Sequence, residues 1–172
     1  MHRVSEIIGK PIVSAETGDR LGSVSDALLE DGGANVVALV IGGGLLAKEH
    51  VLPFRDIQTL GGDTVLARTD AGIRSPQEWR RSGVKATRSS EIRGKPVVTI
   101  GGQRLGEVSD LLVNDETGAF DGVEVAEPRF GGLRTKRAIL RASEEMRIGR
   151  DAVVVPDSAI ANATGSDDRP AA

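Results

Sequence analysis

The sequence predicts an all-β fold: two small β-barrels in tandem, joined by a linker that carries one short helix. Three observations predict it. The chain repeats itself at an offset of about 85 residues. Its apolar content is aliphatic, with aromatics at only 2%. Its 22 glycines fall between short apolar runs, as turn residues do, and show no collagen-like period.

The repeat decides the architecture. Ser5-Glu6-Ile7-Ile8-Gly9-Lys10-Pro11-Ile12-Val13 aligns with Ser90-Glu91-Ile92-Arg93-Gly94-Lys95-Pro96-Val97-Val98, identical at seven of nine positions. After a one-residue slip, Arg20-Leu21-Gly22-Ser23-Val24-Ser25-Asp26 aligns with Arg104-Leu105-Gly106-Glu107-Val108-Ser109-Asp110, identical at six of seven. Two such matches in the same order mark a duplicated unit. The aliphatic composition then favours strands, because β-branched side chains pack well on a pleated surface.

Each copy reads as a series of short strands. Lys10 to Glu16 and Lys95 to Ile100 are apolar runs opened by a proline, which suits the first residue of a strand. Turns follow at Gly18-Asp19 and Gly101-Gly102. Val24, Asp26 and Leu28 then alternate with Ser25, Ala27 and Leu29, and the pattern recurs from Val108 to Val113. Hairpin turns at Asp31-Gly32-Gly33 and at Asp115-Glu116-Thr117-Gly118 lead into returning strands at Val36 to Ile41 and Gly122 to Ala126. Later strands are expected at His50 to Pro53 with Val65 to Arg68, and at Ala138 to Leu140 with Ala152 to Val155. Leu21, Val24, Leu28, Leu105, Val108 and Leu112 are the expected core positions, since barrel interiors are filled by side chains.

The units run over 1–68 and 90–161, with a linker at 69–89 between them and a tail at 162–172. In the linker, Ser75-Pro76-Gln77-Glu78 is a capping box with proline at the first helical position, and Gly83 is the expected stop. The helix carries Trp79. The linker holds five basic and two acidic residues, whereas residues 1–68 hold six against nine and residues 90–172 eleven against fourteen. It is a basic strap between two acidic units. The tail lacks apolar content and is expected to be disordered.

Composition excludes much chemistry. Without cysteine there are no disulfides, zinc–thiolate sites or thiol nucleophiles. His2 and His50 do not make a metal cage, and no cofactor is expected. No apolar run reaches membrane-span length and the start lacks a signal-peptide core, so the expected location is the cytoplasm. With a net charge of −3, a whole-protein grip on nucleic acid is not expected.

The recurring elements, Gly-Lys-Pro-x-Val, a short turn, then Arg-Leu-Gly-x-Val-Ser-Asp, resemble the PRC-barrel family. The resemblance covers most of residues 3–68 and 88–160. The first copy also has the usual close, Val51-Leu52-Pro53-Phe54-Arg55-Asp56-Ile57 followed by Gly62-Asp63-Thr64-Val65. In the second, Ala138-Ile139-Leu140-Arg141-Ala142-Ser143 replaces the Pro-Phe element. The family takes its name from the cytoplasmic domain of the photosynthetic reaction-centre H subunit, and a similar barrel ends a ribosome-maturation factor. The resemblance implies two PRC-like barrels in a non-enzymatic scaffold or assembly module that binds a protein partner, through the 129–141 loop or the groove between the barrels. An RNA- or ribosome-associated assembly factor is the alternative. The motif specifies fold more strongly than function.

The candidate residues each admit a plain reading. Gly22 and Gly106 mark a bulge or a ligand approach. Asp26 and Asp110 bond nearby backbone or form a carboxylate site, and an ion pair with Arg20 and Arg104 within each copy is expected. Gly42-Gly43-Gly44 reads as a hairpin loop, because no Lys-Ser/Thr or helix start follows it. His50 reads as a strand-end histidine. The run from Arg129 and Phe130 through Arg134, Lys136 and Arg137 to Arg141 is the main binding candidate, suited to an acidic protein surface and, more weakly, to nucleic acid. A solvated hairpin tip is its plain alternative. Trp79 either anchors the linker on a barrel or presents a partner hot spot.

Overall fold

A computed structural model describes residues 1–32, 35–42, 48–127, 137–160 and 163–165. The first copy begins with strand β1 (His2–Arg3) and the four-residue helix α1 (Val4–Ile7). It continues with β2 (Pro11–Ser14), β3 (Arg20–Glu30), β4 (Val36–Gly42), β5 (His50–Pro53), β6 (Ile57–Leu60) and β7 (Val65–Ala67). The linker helix α2 (Pro76–Arg81) follows, capped by Ser75 and Glu78 as its sequence dictates. The second copy repeats the order: β8 (Ala86–Arg88), α3 (Ser89–Ile92), β9 (Pro96–Thr99), β10 (Arg104–Val113) and β11 (Phe120–Ala126). It ends with β12 (Arg137–Arg141), β13 (Arg147–Ile148), β14 (Val153–Val155) and β15 (Thr164–Gly165).

Each copy folds its strands into one curled sheet, ordered β5-β4-β3-β2-β7-β6 in the first and β13-β14-β9-β10-β11-β12-β15 in the second. Neighbours are antiparallel except β2 with β7 and β9 with β14, which are parallel. Gly22 and Gly106 occupy the same place, each at a register shift where the short strand β2 or β9 pairs with the long strand that follows it. Their φ values, +143° and +150°, favour glycine, and a Cβ at Gly22 would lie 2.5 Å from Ile41 Cγ2. The bulge reading of these residues is therefore the structural one.

The two copies exchange their opening segments. β1 pairs with β10 of the other copy, His2 opposite Val113 and Arg3 opposite Leu112. Reciprocally, β8 pairs with β3, with Ala86 opposite Glu30 and Arg88 opposite Leu28. This is possible because β3 and β10 are long, at 11 and 10 residues. The first half of each pairs with its own copy's strand, and the second half offers a free edge to the arm that arrives from the other. Val4, Ile7, Ser89 and Ile92 of the two short helices are buried as a result. The hairpin turns also meet, with Asn35 bridging Ala119 and the Val36 amide donating to the Gly118 carbonyl at 2.8 Å. Among the described residues the larger apolar core runs through both copies, from Val4 and Ile12 to Val153 and Val155, and a smaller cluster of Leu28, Ala38, Val40 and Val51 is separate from it.

Of the six expected core residues, Val24, Leu28, Val108 and Leu112 are buried, while Leu21 and Leu105 are half-buried and pack against the core. Thr164 and Gly165, in the stretch expected to lack structure, pair with Ile139 and Ala138 and add an edge strand. Among the described residues β12 pairs otherwise only with β11, so its outer edge is open to them. The linker, read as 69–89, gives up residues 86–89 to the exchanged arm.

Candidate functional site

The recurring aspartates hold the exchange together. Asp26 is 4% exposed and accepts from the Ala27 amide at 2.8 Å, the Ser90 amide at 3.3 Å and the hydroxyls of Ser89 and Ser90. Asp110, equally buried, accepts from the Leu111 amide at 2.8 Å, the Ser5 amide at 3.2 Å and the Ser5 hydroxyl. Each carboxylate thus serves the first turn of a helix from the opposite copy. Burial pushes the Asp26 carboxyl up, but the bonds from Ser89, Ser90 and Ala27 outweigh it and hold its pKa below the usual aspartate value. The expected ion pairs do not form. Arg20 donates to Ser23 at 3.0 Å and Arg104 to Glu107 at 2.7 Å, because both arginines sit at exposed strand starts while the aspartates point inward.

One buried charge distinguishes the copies. Glu124 is 1% exposed and stands where the first copy has Val40, as the pairings with Asp110 and Asp26 show. It accepts from Arg3 Nε and Nη2 at 2.9 Å, from Ser109 at 2.8 Å and from Arg137 at 3.4 Å. In the first copy the matching arm residue, Arg88, pairs instead with Glu49 at 2.7 Å. The Glu124 hydrogen bond raises the pKa of Arg3, and the Glu49 bond does the same for Arg88. Each arm therefore carries an arginine whose counter-charge lies on the receiving copy. Among the described residues, no buried side-chain nitrogen or oxygen lacks a hydrogen-bond partner.

Arg129, Phe130, Arg134 and Lys136 lie outside the described residues, as do Gly43 and Gly44. Arg137 and Arg141 are exposed at opposite ends of β12, and Arg137 faces Glu124. Trp79 is half-buried on α2 and, with Val37 and Ala86, packs on Leu28, Ala38, Val40 and Val51, the outer face of the first copy's sheet. That packing places Trp79 between the linker and the first barrel.

Trp79 has a second surface. It lines a groove of about 540 Å³ where three parts of the chain meet. The first copy supplies Val36, Val37, Pro53, Phe54 and Ile57. The linker supplies Trp79, Ser82 and Val84, and the second copy's hairpin supplies Glu116 and Thr117. Arg55, Arg68 and Arg74 edge it. Arg68 donates to the Arg55 carbonyl at 3.3 Å, and Arg74 to the Ala71 and Ile73 carbonyls at 2.7 and 3.3 Å. Arg55 approaches Asp56 no closer than 4.0 Å. Sequence reasoning missed these arginines because they are scattered singly over twenty residues. The net positive linker signalled Arg74 alone, since Arg55 and Arg68 lie in the unit read as acidic.

Among the described residues, no helix is long and apolar enough to cross a membrane. None of the curated proteins compared with it matches the chain. The family model for the PRC-barrel domain matches residues 1–74 and again residues 85–160. The chain therefore belongs to the PRC-barrel family and carries two tandem copies of its domain.

Proposed function

We propose that the chain is a non-enzymatic scaffold or assembly module that binds a protein partner at the junction of its two barrels. One observation carries this reading: the buried carboxylates common to both copies, Asp26 and Asp110, are engaged by the arms that lock the barrels together. The exposed chemistry that is left, aromatic and arginine side chains in a groove, suits recognition. The test is capture from the native host on the immobilised chain, followed by reconstitution with the purified candidate. A stoichiometric complex without turnover supports the reading. Recovery of nucleic acid alone, released as salt rises, would replace it with the RNA-associated alternative.

A further inference from the structure

We infer that the groove binds a segment of partner polypeptide in which a large apolar side chain is flanked by acidic residues. This rests on the interaction reading above and names the partner's chemistry. The floor is apolar: Phe54 and Trp79 are two of the chain's four aromatic residues, and Val84 beside them is 39% exposed. The Phe54 ring is held from behind, since a Cβ on Gly118 of the second copy would lie 2.9 Å from it. The pocket wall is therefore set by contact between the barrels.

The rim supplies the charge preference. Three guanidinium groups edge the groove against two carboxylates, in a chain whose net charge is −3. One of the two, Glu78, is committed to the Ser75 amide and hydroxyl at 2.7 and 2.8 Å. Arg68 and Arg74 bond only backbone carbonyls among the described residues, which leaves further donors of each fork for a carboxylate. Arg55 has a side chain 79% exposed. An apolar side chain would displace water from the floor, and acidic neighbours would meet the arginine rim.

The chain reports on its own groove, because Trp79 is its one tryptophan and it has no tyrosine. The probe is a synthetic peptide with a Phe-Leu pair between glutamates, titrated while Trp79 emission is followed. The expected result is a saturable shift that weakens with added salt. The double substitution Arg55→Glu, Arg68→Glu should raise the apparent Kd about tenfold or more, a loss readable on the affinity scale. Arg150→Glu, exposed on the far copy and away from the groove, should leave it unchanged. Circular dichroism of each variant checks that the fold persists. Absence of saturation at millimolar peptide, equal affinity for a lysine-flanked peptide, or a response to decanoate but not to the peptide overturns the inference. If a host partner survives the Arg55→Glu, Arg68→Glu change but is lost with Arg134→Ser, Lys136→Ser, Arg137→Ser, the groove inference fails and the interaction reading stands. If no partner is captured at all, the interaction reading itself fails.

Discussion

Burying a carboxylate is unfavourable unless donors surround it, and among the described residues this happens three times, at Asp26, Asp110 and Glu124. The donors decide what each substitution does. Arg3→Ala leaves Glu124 buried with Ser109 and the longer contact to Arg137, so it should cost on the order of 2–4 kcal/mol. Glu124→Val copies the first copy's Val40 and leaves two arginines that can turn to solvent, so it should cost less than about 1 kcal/mol. Urea midpoints of the two variants check this order. Asp26 has a folded pKa below its unfolded one. Its contribution is present above the unfolded value, ~3.9, and is lost as pH falls from there through the folded value. The stability gap between the native chain and Asp26→Asn should therefore be open at neutral pH and narrow below about pH 4. A gap that stays constant across that range would mean the hydrogen bonds do not depend on the ionised form.

Within the elements, burial sorts the two leucines of the repeated motif. Leu112 is 2% exposed on β10 and Leu105 only half-buried, so Leu112→Ala should cost ~2–5 kcal/mol and Leu105→Ala clearly less. Thermal unfolding of the two variants gives the ranking. The strands, bulges and capped linker helix were legible because each rests on local chemistry: Pro11 and Pro96 at strand starts, Gly22 and Gly106 at bends, Ser75 with Glu78 at a helix start. The exchange was not legible, for a physical reason. Val4-Ser5 and Ser89-Ser90 present nearly the same groups to Asp110 and Asp26, and each arm carries an arginine, so either arm satisfies either copy. What breaks the tie is the linker. Trp79 fixes α2 to the first copy, Arg74 bridges Val51, and the Lys85 carbonyl accepts from the Asp31 amide at 3.0 Å. Ala86 is thereby delivered to β3, which leaves β10 for the N-terminal arm. A groove between the barrels was expected, but its lining was hidden for the same reason, since its floor and wall come from different copies.

At the scale of the molecule, exchanged arms and a continuous core make two barrels behave as one cooperative unit. Trp79 emission, which senses the first copy, and far-UV circular dichroism, which senses both, should follow coincident urea transitions. Separate transitions would show that the halves fold independently. The exchange itself is open to a direct measurement, because the chain has no cysteine to confuse it. Ala86 and Glu30 are register partners across β8 and β3, and such antiparallel pairs place Cα atoms about 4.5–5.5 Å apart, within disulfide range. Asn114 holds the equivalent of Glu30 on the second copy. The double substitution Ala86→Cys, Glu30→Cys should oxidise to an intramolecular disulfide in dilute solution, and Ala86→Cys, Asn114→Cys should not. The opposite outcome, a bond to position 114 and none to position 30, would contradict the exchange.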